Sequence, residues 1–156
     1  MKEFTKPEKA AALEKFEEYL FHMDDVLEAF EEQAAQHGFE LDYSLDSLDL
    51  VEQFALKIGA KPGSKFADHA AQYLGSVLVE GFGGHWELSL DAKDNSLYYG
   101  LPVIVGHTEV DGLQFCPQHI MGLYLARPAK SQLKNAVLAD VADDDFDLDD
   151  LPTERE

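Results

Sequence analysis

Four side chains in the second half of the sequence are of the kind that metals and nucleophilic mechanisms use and could come together. Cys116 and His119 are separated by two residues, and His85 and His107 flank segments that can bring them close. Zinc binding draws on paired, tightly spaced ligands, and one cysteine with scattered histidines has no second pair. No metal or cofactor is expected. A Cys116 nucleophile with His119 or His85 as its base needs a thiol pKa lowered by nearby cations. This acidic chain supplies no such cations nearby, so Cys116, set between Phe115 and Pro117, reads as a small buried hydrophobe. The glycine stretch Gly81 to Gly84 follows a helical pattern and precedes an extended one, the wrong order for a phosphate-binding helix N-terminus.

Carboxylates are the other chemical resource. Thirty-one acidic residues against twelve basic ones give a formal charge of -19. Such a field repels nucleic acid and anionic membranes and speeds encounter with a cationic protein. Residues 140–156 hold nine acids and one arginine, a net of -8; the remaining 22 acids and 11 bases give -11. The run Asp143 to Asp150 interrupts its acids only with Phe146 and Leu148. It cannot bury enough apolar surface to offset the entropy of ordering, so a single domain over 1–142 and an unfolded acidic tail over 143–156 are expected. Asp24-Asp25 and Glu31-Glu32 read as the wet face of a helix. Glu80, Glu87, Asp91 and Asp94 cluster around a helix-to-strand turn and are the expected partner-binding residues.

The elements that must position these groups follow from periodicity. Thr5 with Glu8 is a capping box and Pro7 suits a first helical turn. Leu13, Phe16, Leu20, Met23, Leu27, Phe30 and Ala34 then recur at spacings of three and four until Gly38, which predicts one long helix packed on a globular body, with Phe21 and Val26 widening its apolar stripe. Ser44 or Ser47 can cap a second helix burying Leu45, Leu48, Val51, Ala55 and Ile58. From Ser64 to Phe82 a third helix has Ala71 and Gly75 as sites of close approach, and should be the most buried.

Trp86, Leu88 and Leu90 alternate with polar residues as in a half-buried strand. Leu97 to Val105, interrupted by Gly100 and Pro102, predicts a second or bent strand, and Leu113 to Phe115 a third. Turns fall at 91–95 and 110–112. Pro117 opens a helix to Ala126, and another covers Ser131 to Val141. The expected fold is α+β: three N-terminal helices, a small antiparallel three-stranded meander, and one or two C-terminal helices.

Tyr73-Leu74-Gly75, Gly83-Gly84-His85-Trp86, Leu101-Pro102-Val103 and Phe115-Cys116-Pro117 together carry a resemblance. The layout, spanning Leu41 to Leu138, resembles small bacterial domains of unknown function in which a Tyr-Leu-Gly helix leads through Gly-Gly-x-Trp into a strand. Such domains often look like toxin-associated immunity proteins. Members with a glutamate after the helix glycine differ from this chain, which has Ser76. The resemblance implies an accessory or inhibitory role.

With one cysteine, no signal-peptide pattern and no long apolar run, a cytoplasmic protein is expected. The expected function is a non-catalytic, acidic protein-binding protein, most concretely an immunity-type inhibitor of a cationic toxin or effector. Its partner would be a basic protein, with no direct nucleic-acid or membrane contact. Two alternatives are a small enzyme or ligand-binding protein with its site between sheet and third helix, and a DNA-mimic or regulatory adaptor using the tail.

Overall fold

The computed structural model of the protein describes residues 3–90, 96–109 and 113–142. The segments 91–95 and 110–112, expected as turns, and 143–156, expected as an unfolded tail, lie outside the described residues. Those described form an α+β fold of five α-helices and two antiparallel strands. None of the helices is long and apolar enough to cross a membrane.

Helix α1 spans Lys6–Gln36. Its capping box forms as the sequence implies: Glu8 N–H donates to Thr5 Oγ1 at 3.3 Å and Thr5 N–H to Glu8 Oε1 at 2.8 Å. The expected stripe is buried only in its second half, at Met23, Leu27, Phe30 and Ala34. Leu13 and Leu20 are exposed, Phe16 is half-buried, and Phe21 is 81% exposed against His22. At about 1.5 Å per residue, this 31-residue helix far outruns the 18-residue helix against which it packs, so its first turns have less surface to bury against.

Helix α2, Ser47–Ile58, starts where Ser44 Oγ accepts the Ser47 N–H at 3.1 Å. It ends at Gly59, whose φ of 67° is readily reached only by glycine. Leu48, Val51 and Ala55 are buried as expected; Phe54 joins them, whereas Ile58 is exposed. Helix α3, Lys65–Phe82, is capped by Ser64 Oγ on the Ala67 N–H at 3.1 Å and is the most buried of the five. Phe30, Phe54, Phe66 and Tyr73 bring α1, α2 and α3 together, with ring centroids 5.1 to 5.7 Å apart.

Strand β1, His85–Leu88, pairs with β2, Pro102–Val105, in the register Trp86 opposite Ile104. Trp86 lies across α3 on Gly75 and meets Tyr19 of α1 edge-on at 5.8 Å. The expected three-stranded meander is not formed, because Phe115 makes one isolated bridge to Ile104. Cys116 immediately becomes the N-cap of α4, Pro117–Ala126, and stops the pairing on that side. Nor is Leu97 to Tyr99 a strand. Ser96–Tyr98 is a 3-10 turn closed by Leu101 N–H on Tyr98 O at 2.9 Å, which leaves Leu97 exposed. Helix α5, Gln132–Ala142, completes the described chain.

Candidate functional site: an acidic groove beside the first helix

After Gly38 the chain turns back along α1, and residues 40–43 form the far wall of a groove of about 520 Å³. Asp24, Glu28, Glu31 and Glu32 line it from α1 and Glu40 from the returning segment; Leu27, Ala35, Leu41 and Tyr43 supply its apolar parts. No lysine, arginine or histidine is among these lining residues. Five carboxylates converge on one concavity without a countercharge.

Tyr43 fixes the wall. Its φ of 64° puts a bulky residue in the left-handed region, at a strain of about 1–3 kcal/mol. Three contacts hold it there. Its N–H donates to Tyr73 Oη at 2.8 Å, its ring lies 4.8 Å from that of Tyr73, and its hydroxyl donates to Glu31 Oε2 at 2.5 Å. Ser47 spends its single proton on Ser44 O at 2.6 Å, so the fully buried Tyr73 donates to Ser47 Oγ, 2.8 Å away. Burial pushes the Tyr43 phenol well above its ordinary pKa, and the Glu31 and Glu80 charges push in the same direction. Tyr43 therefore stays a neutral donor that orients the Glu31 carboxylate.

The expected partner-binding residues divide. Exposed Glu80, in the last turn of α3, contributes charge at Tyr43 but does not line the groove. Glu87 sits on β1, its Oε2 3.0 Å from His85 Nε2, with both side chains exposed. Asp91 and Asp94 lie outside the described residues. Of the groove's own acids, Asp24, Glu31 and Glu32 read in the sequence as an ordinary solvated helix face. The signal that places them together is the alternating segment Phe39 to Tyr43, which follows a helix-stopping glycine and must return along the same helix.

Of the candidate histidines and cysteine, His107, His119 and Cys116 each contact a different group. His107, its side chain fully buried, hydrogen-bonds through Nε2 to Asp140 of α5. The His119 ring lies on Tyr98 at 5.3 Å, and Cys116 Sγ points to Pro102 O at 3.7 Å. Among the described residues no three or more His, Cys, Asp or Glu side chains are arranged to hold a metal ion. Burial raises the Cys116 thiol above its ordinary pKa, the opposite of nucleophile activation. A disulfide reagent at neutral pH should therefore label Cys116 only at the rate of unfolding, and become fast in denaturant; rapid labelling of the native protein would contradict this burial.

No family model, no curated protein and no solved structure matches this chain, so the functional reading rests on its own geometry and charge.

Proposed function

We propose that this protein is a non-catalytic binder of a basic protein, in its most concrete form an immunity-type inhibitor of a cationic toxin or effector. The groove between α1 and residues 40–43 carries the reading, because it gathers five carboxylates with no cation of its own. Like charges held on low-dielectric walls focus the field and raise the local concentration of a cationic partner. Lysine and arginine from that partner would meet a wall already fixed by Tyr43 and Tyr73, so little ordering of this side remains to oppose binding. Between sheet and α3, where the alternative reading put an enzyme site, Trp86 lies directly on Gly75.

Affinity capture of the tagged protein from its own cells, at low and moderate salt, tests the proposal alongside the double variant Glu28→Lys, Glu32→Lys. Both residues are exposed, so the fold should be unaffected. A stoichiometric basic partner is expected that dissociates as salt rises. Against the isolated partner, the variant should associate about tenfold or more slowly and with a shallower salt dependence. A partner held equally by the variant would remove the groove from the interface.

A further inference from the structure

Among the described residues, strand β1 has a free edge. Residues facing each other in an antiparallel pair alternate between those that exchange both backbone bonds and those that exchange none. The phase here is set by three observations. Ser89 N–H donates to Leu101 O at 3.0 Å, and both backbone groups of Ile104 are spent on Phe115, at 2.8 and 3.0 Å. Pro102, which has no N–H, sits opposite Leu88. His85 and Glu87 are thus the residues bonded to β2, while the N–H and C=O groups of Trp86 and Leu88 point away from it. Among the described residues, those four groups have no hydrogen-bonded partner.

The two sides of this edge differ chemically. Trp86 and Leu88 lie on the α1 side, where Leu88 and Pro102 face Ala12, Phe16 and Tyr19 across an open cleft of about 190 Å³ that Lys15 also lines. This is also the part of α1 whose stripe lacks cover, at Leu13, Phe16 and Leu20. On the opposite side His85 and Glu87 are exposed.

We propose that the free edge of β1 takes an extended segment of a basic partner protein as a third strand, its apolar residues seated toward the α1 cleft and a lysine or arginine opposite Glu87. Main-chain bonds would supply the affinity and alternate side chains the selectivity. A second copy of this chain is a poor occupant, since each copy carries a net charge of -19. The inference rests on the proposal that the partner is basic, and adds how that partner is held.

Amide hydrogen exchange of the full-length protein, with and without a capped peptide of alternating valine and lysine, tests it. The amides of Trp86 and Leu88 should exchange about tenfold more slowly at saturation, a factor expected when those hydrogens enter a ladder populated about nine parts in ten. N-methylation of alternate peptide bonds on the pairing side should abolish the protection. Glu87→Lys should weaken binding by about two- to tenfold, by replacing an attractive cross-strand pair with a repulsive one. Binding without protection at Trp86 and Leu88, undiminished by N-methylation, would overturn the added strand and leave a basic partner standing. Failure of this peptide and of an equally charged unstructured lysine peptide to bind at low salt would overturn both.

Discussion

Gly75→Ala is expected to destabilise the protein by about 2 kcal/mol, although the same change in an exposed helix would stabilise it by close to 1 kcal/mol. A β-carbon on Gly75 falls inside van der Waals contact with Cζ2 and Cη2 of Trp86, and 3.0 Å from Ile104 Cδ1. The indole has little room to retreat. Tyr19 stands edge-on to it at 5.8 Å, and its backbone is held in register by β2. The sheet and α3 must therefore separate, and overpacking of this kind costs about 1–3 kcal/mol beyond what helix propensity returns. Trp86 is the sole tryptophan, so its fluorescence reports on this contact directly. Urea unfolding should show a lower midpoint with an unchanged slope, and the native emission should shift as the ring is displaced. Adding Trp86→Leu to Gly75→Ala should cost less than the two changes summed, since the shorter side chain removes the clash. A neutral or stabilising Gly75→Ala would mean that the indole does not lie on this glycine.

The same contact shows which parts of the fold can be read from the chain. Gly75 is legible as a site of close approach and Trp86 as a position on the buried face of a strand, and α1, α3 and α4 begin where Thr5, Ser64 and Pro117 indicate. Those signals are local, because caps and periodicity act within a few residues. The failures are tertiary. Leu97 to Tyr99 has the composition of a strand, but the outer backbone groups of Ile104 are taken by Phe115 and the segment folds as the 3-10 turn Ser96–Tyr98. Phe21 has the composition of a core residue but lies about 180° around α1 from the buried Phe30, on the face turned to solvent. The groove was half legible. Its acids could be named from the sequence, but their convergence depends on where residues 40–43 return, and that is set by Tyr43 bonding to Tyr73, thirty residues away.

Glu52 is the buried charge least visible in the sequence, and replacing it should produce the largest loss among the polar residues. It reads there as one more helix acid, yet it is only 5% exposed and serves a different helix. Its Oε1 accepts the Ser131 N–H at 2.9 Å and its Oε2 the Leu133 N–H at 2.8 Å, so a carboxylate from α2 caps the start of α5. Ser131 itself has a φ of 59°, a conformation that this clamp helps to hold. Glu52→Ala strands two buried donors and should cost about 3 kcal/mol. Glu52→Gln keeps one acceptor but turns an amide N–H₂ toward a backbone N–H, and should cost about 1–2 kcal/mol. Their pH dependence separates burial from capping. Burial raises the Glu52 pKa above the ordinary glutamate value, and the bonds from Leu133 and Ser131 only partly oppose it. The folded state therefore holds this proton to higher pH than the unfolded chain does. The associated stability is full below the unfolded value and is lost as pH rises through the folded one. The wild-type advantage over Glu52→Gln, measured by urea unfolding from mildly acidic to neutral pH, should accordingly narrow as pH rises across that interval. If it widens instead, the two backbone donors outweigh desolvation, and the ionised carboxylate is a net stabiliser of the junction between α2 and α5.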